Sequence, residues 1–206
     1  MRSAVETWSR KLHICLGLYF LFFLWLFCLS GVVLNHPKWR VAGFWNERKQ
    51  MSSELQISRP AETDDFLAAR SLMTQLHIRG EISGKITHAE TGEFGFRVVR
   101  PGDIYEIKAD FGQGLARVDQ THVNGWGVLN MLHSFTGVRR TDPTQQQNWW
   151  PTGIWRFSMD ALSVGLVVMV LTGIYIWYNR AQRRRSGMLA LALGFLTLAG
   201  FVSGIF

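Results

Sequence analysis

Apolar residues are gathered into three long blocks, with an alternating region between the first and the second. Leu12 to Leu34 carries no charge, and its one titratable ring, His13, sits at the edge. Phe157 to Tyr178 carries one acid, Asp160, and Met188 to Phe206 carries no charge. Each block is close to the ~20 residues that cross a hydrocarbon core as an α-helix, the conformation that satisfies every backbone polar group internally. The pattern predicts transmembrane helices over 12–34, 157–178 and 188–206. The first is too long for the apolar core of a cleavable leader and is followed by no small-residue cleavage site, so it reads as a retained anchor.

Within the first block His13, Gly17, Phe20, Leu24, Phe27 and Gly31 recur at helical spacing and share a face. Its two glycines, Ala161-x-x-x-Gly165 in the second block and Gly200-x-x-x-Gly204 in the third are small-residue patterns. Such patterns let helices approach closely, either within one bundle or between subunits.

Residues 35–60 read as a polar linker. A helix follows, with Thr63 as cap, Asp64 and Asp65 in the first turn, Phe66, Ala69, Met73 and Leu76 as apolar stripe, and Gly80 as stop. Alternation then takes over. Ile82, Gly84, Ile86 and His88 share one strand face, and Phe94, Phe96 and Val98 share the next. Tyr105, Ile107, Ala109 and Phe111 oppose Glu106, Lys108 and Asp110 in a third strand. Asp110 to Gly114 forms a turn into a fourth, from about Leu115 to His122. Residues 61–123 are thus a small α+β domain, a helix followed by an antiparallel meander. Its core is marginal at that size, and docking on helices or on a partner would support it. Residues 124–156 read as interfacial. A short amphipathic piece carries Trp126, Leu129 and His133 on one side, and a polar stretch leads to tryptophans.

The net charge of +7 would suggest nucleic acid if it were spread over a surface. It is not: Arg2, Arg10, Lys11, Arg180, Arg183, Arg184 and Arg185 flank the apolar blocks, opposed there by Glu6. Basic residues concentrate on the cytoplasmic side of membrane helices. The expected topology has a cytoplasmic amino terminus (1–11), the 35–156 region outside, a basic cytoplasmic loop (179–187) and an external carboxyl terminus. The arginine run can also meet anionic headgroups. Trp39 and Trp45 after the first block, and Trp149, Trp150 and Trp155 before the second, form a belt at headgroup depth on the outer side. Cys15 and Cys28 lie about 20 Å apart along one helix, too far for a disulfide, and read as small apolar residues.

The order of the parts resembles the PepSY-associated transmembrane family. Arg10-Lys11-Leu12-His13 with Leu16-Gly17, and Ser30-Gly31-Val32-Val33-Leu34, resemble its first helix. Tyr105 to Asp110, with Gly112 and Gly114 close behind, is similar to the end of a PepSY domain. Leu132-His133-Ser134-Phe135-Thr136-Gly137 and Leu171-Thr172-Gly173-Ile174-Tyr175-Ile176-Trp177 resemble its later signatures. The resemblance implies an α-helical bundle of three transmembrane helices in a bacterial inner membrane, bearing one extracytoplasmic PepSY-like domain. Longer members include ferric-siderophore reductases credited with haem b. PepSY domains elsewhere restrain or bind proteins. The resemblance therefore implies an accessory protein that engages a larger membrane complex or a periplasmic protein. Its alternative is a haem b electron-transfer subunit of ferric-siderophore reduction or of a respiratory complex, and a peptidase regulator is a third reading.

Haem is the cofactor worth testing. His13 and His36 lie 23 residues apart, about 34 Å of helix axis, and cannot share one haem. His36 and His133 both belong to the outer boundary and are the candidate pair there. At the inner end His13 has no histidine partner in the chain, unless Met169 or another subunit supplies a ligand. Each histidine also has a structural reading: His13 interfacial or bonded within the bundle, His36 at the helix end, His133 docking the amphipathic piece. His77, His88 and His122 read as ordinary domain residues. Asp160, the acid inside an apolar block, pairs with Arg156 one turn earlier or serves a proton or an imidazole. No zinc or iron–sulfur spacing, nucleophile–base arrangement, phosphate loop or dinucleotide fingerprint occurs, so catalysis has no candidate set.

Overall fold

The computed structural model describes residues 4–88, 92–135, 146–179 and 184–204. In chain order the elements are α1 (Ala4–Asn35), a 3-10 helix (Arg40–Glu47), β1 (Lys49–Gln56), α2 (Asp65–Gln75), β2 (Glu81–Ile82), β3 (Thr87–His88), β4 (Glu93–Arg100), β5 (Asp103–Asp110), β6 (Leu115–His122), α3 (Gly125–Ser134), α4 (Trp150–Tyr178) and α5 (Arg184–Ser203). Three of them, α1, α4 and α5, are long and apolar enough to cross a membrane. Contacts divide the chain into two units, Met1–Phe23 with Asp160–Phe206, and Leu24–Met159.

The first unit is helical. Its α1 and α4 segments approach through small residues. A side chain added at Gly165 would overlap the buried Phe20 ring, and a Cβ at Gly17 would stand 3.4 Å from Met169 Cε. Gly165 belongs to the small-residue pattern read from the sequence, and its role is to admit an aromatic ring against helix backbone.

In the second unit the strands form one antiparallel sheet in the order β1-β6-β5-β4-β2, with β3 also on β4. One face packs on α2. Val98, Ile107, Ala109 and Ala116 meet Phe66, Ala69, Leu72 and Met73 there, all buried. The other face carries charged rows. Ser52, Asp119, Glu106 and Arg97 stand abreast, and next to them Glu54, Arg117 and Lys108.

Three details differ from the sequence reading. Residues 49–56, read within a linker, are a strand, because β6 pairs them at every position from Lys49↔His122 to Gln56↔Leu115. All eight are exposed, so no apolar alternation announces them. Helix α2 is capped by Asp64, whose Oδ1 accepts from Leu67 N at 2.9 Å, not by Thr63. It ends before Gly80 because His77 takes a left-handed conformation (φ 55°), letting Ile78 N donate to Met73 O at 2.9 Å. Finally, the expected first strand is two short ones, broken around Gly84 at φ 86°.

Candidate functional site

The hydrogen bonds of the imidazoles set which nitrogen each ring leaves free. His13 Nδ1 lies 3.0 Å from Met169 O, and a carbonyl can only accept, so Nδ1 carries the proton. Thr172 Oγ1, 3.2 Å away, donates its own proton to Val168 O. His36 Nδ1 donates to Val32 O at 2.9 Å. His133 Nδ1 lies 2.6 Å from Ser30 Oγ, a bond in which either atom can donate, because the Ser30 hydroxyl also has Leu26 O at 2.7 Å as an acceptor. When neutral, His13 and His36 therefore present an unprotonated Nε2, the tautomer suited to a ligand.

Placement decides whether a haem fits. The His133 ring lies edge-on to Phe27, centroids 5.2 Å apart, and beside Gly31. It thus packs on the Phe27–Ser30–Gly31 side of α1. On helix geometry His36 follows on roughly the opposite side and about 8 Å further along. Its ring stacks on Trp39 at 4.3 Å and is exposed. Two imidazoles so turned do not fit a single haem. At His13 the Met169 contact is the backbone carbonyl, while the Met169 methyl faces Gly17.

The other predicted residues have separate environments. Arg156 donates to Gln147 Oε1 at 3.2 Å, and Asp160 is exposed four residues later on the same helix. Trp39, Trp45 and Trp150 are exposed, whereas Trp155 donates from Nε1 to Phe135 O at 3.0 Å, tying α4 to the end of α3. Arg10 pairs with Glu6 at 2.7 Å, Lys11 lies over Trp8, and Arg184 lies over Tyr178. Arg185 is exposed, and Arg180 and Arg183 lie outside the described residues. His88 meets Asp65 on the surface at 2.9 Å.

Two buried carboxylates were not singled out from the sequence. Glu81, 2% exposed on β2, receives Asn148 N at 2.8 Å and Trp149 N at 3.3 Å, the amides that lead into α4. Burial raises its pKa, and the Thr152 hydroxyl, those two amides and the Arg156 charge counter only part of that effect. Asn148 returns the contact, with Oδ1 accepting from Ile82 N at 2.8 Å and Nδ2 donating to Gly80 O at 2.9 Å. The α+β domain is therefore stitched to the start of an apolar helix. The carboxylate also sits at the positive end of that helix dipole. The sequence signal was Asn148 shortly before Pro151, a helix-start pattern. What it lacked was any pointer to Glu81.

Asp103, also buried, opens β5. Its oxygens accept from His122 Nδ1 (2.8 Å), Gln120 Nε2 (3.0 Å) and Arg100 Nε (2.9 Å). Burial would raise its pKa, but the bonds from His122, Gln120 and Arg100 prevail and hold it below the usual carboxylate value. Close by, Asn124 caps α3 and reaches Glu47 Oε2 at 2.8 Å, and Gly127 lets α3 sit against Val123 and Phe44, where a Cβ would find atoms at 2.6–2.8 Å.

The PepSY_TM-like family model matches residues 7–202, nearly the whole chain. No curated protein and no solved structure matches.

Proposed function

Since the chain belongs to the PepSY_TM-like family, a membrane-associated PepSY-type group, we propose that it is an accessory protein of a bacterial inner membrane whose extracytoplasmic α+β domain engages a partner membrane complex. The amino terminus and the 179–187 loop lie in the cytoplasm, on the positive-inside argument. The domain lies on the other side, beside the outer headgroups.

The observation that carries this reading is the stitch between Glu81 on β2 and Asn148–Trp149 at the start of α4. A domain tethered only by flexible linkers would lose orientation, and binding would then bear the ordering cost. Here both the Glu81 stitch and the Ser30–His133 bond hold the domain and α3 against helix ends. Its charged sheet face, with Arg97, Arg117 and Lys108 beside Glu106, Asp119 and Glu54, stays open for a polar surface. Complementary charge gives such a contact specificity and encounter rate more than raw affinity.

The test is native purification from the source membranes in mild detergent. The chain is expected to elute with a second, different membrane protein. Arg97→Glu together with Arg117→Glu is expected to lower that recovery while leaving the chain in the membrane fraction. Recovery with no protein other than itself would sink the reading.

A further inference from the structure

The two edges of the sheet are finished differently. At the β2 edge Asn148 takes the place of a neighbouring strand, occupying Ile82 N and Gly80 O. At the other edge β1 runs for eight exposed residues and, among the described residues, is paired on one side only. It contains no proline, and its register with β6 is unbroken. Edges this long and regular are templates for another strand.

The register also tells which backbone groups are free. Ile57 N donates to Gly114 O at 2.9 Å, one step beyond the Gln56–Leu115 pair. Antiparallel bonds alternate, so Lys49, Met51, Ser53 and Leu55 spend their backbone groups on β6. Gln50, Ser52, Glu54 and Gln56 turn theirs outward. On the far side of β6, Val123 N donates to Gly102 O at 2.9 Å, which gives the same phase independently.

We infer that β1 pairs antiparallel with β1 of a second copy of this chain, about a two-fold axis at Met51, joining two sheets into one. A two-fold that relates adjacent antiparallel strands stands perpendicular to the sheet, so each residue keeps its face. Centred on Met51, it sets Gln50 against Ser52 and Lys49 against Ser53. Arg48, whose guanidinium lies over Trp45 and donates to Trp45 O at 2.8 Å, then stands opposite Glu54 of the other copy at both ends, adding its charge to that bond. Moving the centre to Gln50 or Ser52 separates those opposite charges. The outward groups of Gln50 and Ser52 become the hydrogen-bonded pairs, while the Arg48 N–H opposite Glu54 is already given to Trp45 O at 3.4 Å. Met51, 68% exposed in the single chain, falls on the closely spaced pair where side chains touch. The same axis leaves α3, whose Met131 and Phe135 line one cavity with Val99 and Ile104 of the charged sheet face, on one side of both copies. Closed two-fold pairing in one bilayer needs that arrangement. The inference rests on the membrane anchoring proposed above and needs no second kind of protein.

The experiment uses the full chain in native membranes, with Cys15→Ser and Cys28→Ser as background. Met51→Cys is expected to give a disulfide-linked species of twice the 23.6 kDa chain mass when air and copper phenanthroline are supplied as oxidant. The double variant Lys49→Cys with Ser53→Cys is expected to do the same, and Ser52→Cys to remain a single chain. Ser52→Pro removes an outward N–H and leaves the β6 pairing whole. It is expected to abolish the Met51→Cys crosslink without changing the far-ultraviolet circular dichroism. Membrane-bound protein that gives no Met51→Cys crosslink, or that crosslinks equally at residues 51 and 52, overturns the pairing alone. Protein found in the soluble fraction overturns both the pairing and the anchoring.

Discussion

Asp103 concentrates three hydrogen bonds on a side chain that is almost wholly enclosed. Because its folded pKa is lowered, it stabilises the fold above the ordinary carboxylate value, and that contribution is lost as pH falls through the depressed one. Asp103→Asn is expected to cost about 1–3 kcal/mol at neutral pH, since donors are left facing an amide nitrogen. It is also expected to flatten the loss of stability below about pH 4. Denaturant unfolding of the full chain in detergent, followed by circular dichroism from acid to neutral pH, measures both. Glu81 has the opposite sign. Its raised pKa means that deprotonation, as pH rises past its ordinary value, works against folding. None of this was legible in the chain as written. Asp103 and Glu81 look like two of fifteen acids, and only their enclosure sets them apart.

At the scale of elements, the helix ends show where local sequence is a partial guide. The apolar stripe of α2 was readable, because Phe66, Ala69 and Met73 recur at helical spacing. Its end was not, because the left-handed residue is His77 where glycine is usual. His77→Gly relieves that conformation, and is expected to stabilise the chain by roughly 0.5–1 kcal/mol, the saving in backbone strain less the extra entropy of glycine. A rise in unfolding midpoint at constant slope is the outcome to look for, and a fall would contradict the strain argument. The apolar helices tell the converse story. The face His13–Gly17–Phe20 was legible from spacing alone, and it is the face that meets Met169, Gly165 and Gly173. The haem pair was not settled by spacing. His36 and His133 are compatible in sequence, yet Ser30 and Val32 hold the two rings in different settings.

For the whole molecule, the proposed function requires the α+β domain and the basic 179–187 loop to lie on opposite sides of the bilayer. With Cys15 and Cys28 replaced, Glu93→Cys is expected to react with a membrane-impermeant maleimide in intact spheroplasts, and Arg185→Cys only after lysis; the reverse pattern would invert the proposed topology. Three long apolar helices and an α+β domain were determined by the sequence itself, because hydropathy and periodicity are sums over neighbours in the chain. The tertiary structure decided the rest. Strand β1 exists because Lys49–Gln56 finds Leu115–His122. Likewise, the stitch at Glu81 exists because Asn148 arrives from 67 residues away. A hydrogen bond or a buried charge depends on the partner that folding brings to it, and no window along the chain contains that partner.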